Sequence, residues 1–182
     1  MATIDLIVLG MLKKEPMGAY DLQKLVEYRN ISKWVKISTP SIYKKVIQLE
    51  EKGFIKGNIV KEGKMPEKVV YSLTDTGQKE FEKLMLEIAA KPIHMFLDFN
   101  AVIVNLDSLP LESQKSCIAN IEKNVKTLKN DLEENIHEKE NIPEIPETGM
   151  EVLRQQYMLA QAIEKWIASL RQSFESNELI TT

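Results

Sequence analysis

The sequence predicts a mainly α fold with a small β-hairpin, in two parts: a helix-and-hairpin domain over residues 1–90 and a long-helix domain over residues 91–182. Three observations carry that expectation. Apolar residues recur at helical spacing through most of the chain. One pair of β-branched segments, FIKGNIVKEG and EKVVYSL, interrupts them. Charge divides at the same place: residues 1–90 hold 15 Lys and Arg against 12 Asp and Glu, residues 91–182 hold 9 against 15, and the resulting +3 and −6 sum to the net −3. A mildly basic front joined to an acidic back points to a division of labour.

The first element, TIDLIVLGMLKKE, carries Ile4, Leu6, Ile7, Leu9, Met11 and Leu12, dense enough for a buried helix that ends at Pro16. Asp5 stands inside this apolar run and no basic segment precedes it, which argues against a secretory leader. MGAYDLQKLVEYRN follows as a second helix with Leu22, Leu25 and Val26 on one side. A loop containing Trp34 leads to a third, where Thr39 caps through its hydroxyl and Pro40 takes the first helical position, at which its missing N–H costs nothing. Here Ile42, Val46 and Leu49 share one stripe, Ser41, Lys44 and Gln48 fall roughly opposite, and Tyr43 and Lys45 flank them.

Gly53 closes this helix and the two β-branched segments form strands, joined by a tip, KEGKMPEK, that holds a Gly and a Pro. Thr74 then caps a helix carrying Phe81, Leu84, Met85 and Ile88. Three helices with a two-stranded hairpin after the third make the winged variant of helix-turn-helix.

Pro92 marks the junction. IHMFLDFNAVIVNL is expected as a strongly apolar helix, broken near DSLP. A long polar helix runs from Leu111 to about Lys139, with Ile118, Ile121, Val125, Leu128, Leu132 and Ile136 in steps of three and four. NIPEIPETG breaks it, and a last helix repeats the pattern through Leu153, Tyr157, Ala160, Ile163, Ile167, Leu170 and Phe174. Narrow seams of this coiled-coil-like kind need a partner. The favoured expectation is a dimer interface through Ile118, Ile121, Val125, Leu128, Leu132, Ile163, Ile167, Leu170 and Phe174; an antiparallel hairpin within one chain is the alternative.

No stretch approaches the roughly 20 apolar residues of a membrane span, so the expected location is cytoplasmic. Cys117 is the single cysteine, and His94 and His137 are far apart, so neither a disulfide nor a metal site is expected. No Ser-His-Asp set and no phosphate-cradling Gly loop is present; the expectation is a non-enzyme without cofactors.

These residues resemble the PadR family of transcriptional regulators. LIVLGMLKKEPMGAYDLQKLV is similar to that family's opening helix pair, including its Gly-aromatic start at Gly18-Ala19-Tyr20; STPSIYKKVIQLEEKGFI is similar to its recognition helix, and EKVVYSLTDTGQKEF to its second wing strand and following helix start. AQAIEKWIASL places Trp166 where the family's helical dimerisation region often has a tryptophan. The family's wing tip is commonly arginine-rich, whereas this one carries Lys64 and Lys68 beside Glu62 and Glu67. Lysine lacks arginine's flat fork, so phosphate contact is the role expected of this tip.

The resemblance implies contact with double-stranded DNA, with Tyr20 among the contacting residues. On the third helix, Ser41, Lys44 and Gln48 are of the type that reads base edges in the major groove. Lys36, Thr39, Tyr43, Lys45, Lys64 and Lys68 are of the type that holds phosphates. A single domain of +3 binds DNA weakly at cellular salt, so two copies reading two half-sites are expected. The function expected is a sequence-specific transcriptional regulator, a repressor, acting as a homodimer on a pseudo-palindromic operator. The alternative is a winged-helix protein-interaction module or adaptor that does not read DNA. Met95, Phe96, Phe99, Tyr157 and Trp166 are first read as core and interface packing; second, they line a pocket for a small hydrophobic effector that releases DNA.

Overall fold

The computed structural model describes residues 2–35, 37–38, 40–61, 67–143 and 145–176. They divide into two compact units, residues 1–94 and 95–182. In the first, α1 (Ala2–Lys14), α2 (Ala19–Tyr28) and α3 (Ser41–Glu51) precede β1 (Ile55–Val60), β2 (Lys68–Leu73) and α4 (Asp75–Ala89), with a short 3-10 turn at Ile31–Lys33. The expected stripe of α3 is buried: Ile42, Val46 and Leu49 join Val8 and Leu9 of α1, Leu22 and Val26 of α2, and Ile55 at the start of β1. Burying apolar side chains on this scale is what holds three short helices together.

The strands are antiparallel, with Ile55 opposite Leu73 and Val60 opposite Lys68. Met17, between α1 and α2, adds to the outer edge of β2 through a pair of bonds: its N–H reaches the Tyr71 carbonyl at 3.1 Å and receives the Tyr71 N–H on its own carbonyl at 3.0 Å. The turn before α2 is thereby fixed to the wing.

Three local features set the direction in which α3 points. Gly53, at φ +72°, adopts the left-handed conformation that ends a helix without a side-chain clash. Thr74 caps α4, accepting from the Gly77 N–H at 3.0 Å while its hydroxyl donates to the carbonyls of Gly53 (2.7 Å) and Phe54 (3.0 Å). The end of α3 is thus tied to the start of α4. Gly77 makes the approach possible, because a Cβ there would lie 1.9 Å from the Phe54 carbonyl oxygen.

The second unit contains α5 (Asn100–Ile103), a 3-10 turn at Leu106–Ser108, α6 (Leu111–Lys139) and α7 (Glu147–Glu175). The single apolar helix expected across IHMFLDFNAVIVNL is not formed; only the four residues of α5 are α-helical. The reason is that the segment lacks a continuous face to bury: Ile93, Phe96 and Val104 are exposed, whereas Leu106 is buried. Asp98, Asn100 and Asn105 also offer side chains that compete for backbone groups, and the Asn105 amide donates to the Ala101 carbonyl at 2.8 Å.

α6 and α7 form the antiparallel hairpin within one chain. Ile118, Ile121 and Val125 pack in one cluster with Ile163, Ile167, Leu170 and Phe174, so most of the expected seam is filled internally. Lys129 pairs with Glu164 at 2.7 Å and Arg171 with Glu122 at 3.0 Å along the flanks. Leu132 is half-buried, while Leu128 remains 50% exposed. No described helix is long and apolar enough to cross a membrane.

Candidate nucleic-acid interface

The outward side of α3 carries Tyr43, Lys44 and Ile47 exposed, with Ser41 and Gln48 half-buried beside them. Beside this face, Gly18, Ala19, Tyr20 and Asp21 at the start of α2, and Lys68, Val69 and Tyr71 on β2, complete a shallow groove of about 420 Å³ together with Tyr43, Val46 and Ile47. Tyr20, Tyr43 and Lys68, expected to touch DNA for separate reasons, therefore line one surface. Burial and then the charge of Glu50 hold the Tyr71 phenol above its usual pKa, so this hydroxyl stays protonated at neutral pH.

The acids near this face are committed to structure. The Glu50 carboxylate accepts the Gly57 N–H at 2.7 Å, fastening α3 to the first wing strand. Asp21 accepts from the Gly18 N–H at 3.3 Å and so closes the start of α2. Glu51 is exposed at the far end of α3, away from the N-terminal turns that enter a groove most deeply.

Lys45 departs from the expectation of a phosphate-holding flank. It is 7% exposed, and its ammonium lies 2.6 Å from Asp5 Oδ1 of α1. Both side chains are largely withdrawn from water, so the contact pairs α1 with α3 through opposite charges at close range. The sequence did contain the signal: Lys45 stands three residues after Ile42 and four before Leu49, on the core side, and Asp5 interrupts an apolar run. Each anomaly explains the other. Ser41 also turns partly inward, its hydroxyl donating to the Ser38 carbonyl.

Lys44 and Gln48 lie on the outward side as expected, the one exposed and the other half-buried. Lys36, Thr39 and Lys64 lie outside the described residues. Ile47, 55% exposed, is a residue that sequence reasoning missed. Its signal was an apolar residue off the Ile42–Val46–Leu49 stripe, on the side that faces away from the core.

In the second unit, the Phe99 and Trp166 rings stack with centroids 5.7 Å apart and planes at 22°. Tyr157 stands nine residues before Trp166, about two and a half turns along α7, where its hydroxyl donates to Glu133 Oε1 at 3.3 Å. Met95 is exposed, and Phe96 is 86% exposed. The five residues expected around an effector are thus spread along the unit, with Phe99 and Trp166 meeting directly.

Residues 8–83 match the sequence model of the transcriptional regulator PadR-like family. No curated protein matches the chain. Among solved structures, Bacillus subtilis PadR in complex with operator DNA is similar with a TM-score of 0.80 at 21% identity, over 94% of this chain and 99% of that one. The same protein in complex with p-coumaric acid gives 0.77 at 19%, over 94% and 95%. A PadR-like transcriptional regulator from Bacillus cereus gives 0.68 at 22%, over 96% of each chain. Residues 8–83 are accordingly similar to the PadR-like family of transcriptional regulators, and the fold, wing and C-terminal helices together, is that of the PadR structures.

Proposed function

We propose that the protein is a sequence-specific DNA-binding repressor that acts as a homodimer on a pseudo-palindromic operator. The observation that carries this reading is the outward face of α3: Tyr43, Lys44 and Ile47 are exposed beside Gln48, and β2 brings Lys68 to the same surface. A helix of this width fits the major groove, where lysine and glutamine side chains pair with guanine and adenine edges. The similarity to a PadR solved on operator DNA supports the same use of the fold here.

Dimerisation follows from affinity. One lightly charged domain makes few phosphate contacts, so electrostatic attraction contributes little affinity at cellular salt. Two joined copies double the contacts and read two half-sites one helical turn apart or a multiple of it. Leu128, Met158 and Trp166 remain exposed on the α6–α7 hairpin of one chain, which supports a subunit contact there. Occupancy of an operator that overlaps a promoter is sufficient for repression, so repression is the sign proposed.

Release by a flat hydrophobic effector is the second part of the proposal. The stacked Phe99 and Trp166 supply aromatic surface that such a molecule can join, and a PadR solved with p-coumaric acid supports the ligand class. A rival reading, docking of a partner protein, draws on the apolar groove between Tyr20, Tyr43, Ile47 and Val69.

A mobility-shift titration on the DNA upstream of the protein's own or a neighbouring gene separates the two. The DNA reading expects preference over random duplex at low salt, weakened by Lys44→Ala, and a sedimenting species of twice 20.9 kDa. Equal binding to random duplex, or a 20.9 kDa species at micromolar concentration, contradicts it.

A further inference from the structure

The centre of the proposed reading face is apolar. Ile47 is 55% exposed on the outward side of α3, between Lys44 and Glu51 on one helical edge and next to Tyr43, which is 43% exposed. Val69 of β2, also exposed, completes a small hydrocarbon surface at the mouth of the groove. An exposed branched side chain there adds nothing to the core, which Ile42, Val46 and Leu49 already fill.

The core explains why Lys45 turns inward; it does not explain why Ile47 turns outward. A solvated recognition face would be expected to carry a polar residue at position 47. In the major groove of B-DNA, one base-pair feature is apolar, the C5 methyl of thymine, and aliphatic side chains recognise it by contact. Gln48, the next residue, carries the amide that pairs with N6 and N7 of adenine. α3 carries no arginine, so Lys44 is its exposed side chain suited to guanine, and Ile47 with Gln48 offer contacts suited to thymine and adenine. Lys68 lines the groove and Lys44 is exposed on α3 beside Tyr43, so positive charge borders the hydrocarbon surface that Ile47 and Val69 form, an arrangement that suits thymine methyls inside.

We infer that Ile47 is a specificity-determining residue that packs on a thymine methyl group, and that with Gln48 it makes α3 a reader of A·T pairs. This rests on the DNA reading proposed above and adds to it the base class recognised. Tyr43 and Val69 wall the same contact, limiting water access to the methyl, which strengthens the hydrophobic gain of burying it.

The test uses the intact protein and a duplex enriched by that protein from a randomised library. Each thymine of the enriched duplex is replaced singly by uracil, which lacks only the C5 methyl. At one or more positions in each half-site, wild-type affinity is expected to drop about fourfold, the effect of one buried methyl group. Ile47→Ala is expected to bind the thymine and uracil duplexes equally at those positions, whereas Lys44→Ala keeps the discrimination while binding both more weakly. Because Ile47 is exposed, its variant should melt with the wild type, and a melting curve checks this. Enrichment of a duplex that shows no uracil effect at any position overturns the inference while leaving the DNA reading intact. So does an Ile47→Ala protein with full discrimination. Failure to enrich any sequence overturns both.

Discussion

The two units are held together in different ways. In residues 1–94 the elements are fastened by groups from different elements that approach one another closely: Lys45 against Asp5, Gly77 under the Phe54 carbonyl, Thr74 over the end of α3, and Glu50 on the Gly57 N–H. In residues 95–176 two 29-residue helices share one narrow apolar seam, and their polar links, Lys129–Glu164 and Arg171–Glu122, lie on the outer flanks. The first unit is built to fix the direction of a single helix. The second is built to hold two helices alongside each other, a task for which approximate side-chain placement is sufficient.

That contrast predicts a graded response to substitution. Replacing Lys45 with Met leaves the Asp5 carboxylate buried without its partner, and the expected cost is about 3–5 kcal/mol in a urea titration. The double variant Asp5→Leu, Lys45→Met removes both charges and should recover most of that loss. If the single variant unfolds with the wild type, the buried pair is not what orients α3.

Gly77→Ala comes next. Its Cβ would sit 1.9 Å from the Phe54 backbone oxygen, so the turn between α3 and β1 must move away from the start of α4. The expected loss is about 3 kcal/mol, with a lower melting temperature. A smaller effect follows from Thr74→Ala, which removes the cap that accepts from Gly77; about 1 kcal/mol is expected, and Thr74→Ser should restore most of it.

Lys129→Ala, in the second unit, should shift the denaturation midpoint least of all. The hydrogen bond that Lys129 donates to Glu164 raises the Lys129 pKa, so whatever the pair contributes is complete below the ordinary lysine range and is lost only as pH rises through the raised value. Stability from this pair is therefore flat across neutral pH. A large neutral-pH loss from Lys129→Ala would remove the distinction between the two units.

Much of the first unit was legible in the sequence because its signals are local. The apolar stripe of α3, Gly53 as the stop, the β-branched strands and the Thr74 cap all appear where the pattern places them. The destination of Lys45 was legible only in part: its core-side position was in the spacing, but a lysine is ordinarily solvated and its partner lies forty residues earlier in the chain. Ile47 escaped for the opposite reason: an apolar residue is assumed to be core until the structure shows the core already filled. In the second unit, the periodic seams of α6 and α7 were plain, but periodicity cannot say whether a seam is filled by the same chain or by another. The apolar segment before α6 misled outright, because hydrophobicity without a face to bury does not make a helix.

The central claim is that the outward face of α3 reads base sequence. It is tested most directly by the affinity of the intact protein for its enriched duplex and for random duplex, measured by fluorescence anisotropy across a salt series with wild type and Gln48→Ala. The account predicts that wild type prefers the enriched duplex by at least about 10³-fold. It predicts that Gln48→Ala loses about 1–3 kcal/mol of that preference while random-duplex binding stays unchanged. Equal affinity of the wild type for both duplexes, or a Gln48→Ala protein with its whole preference retained, would contradict it.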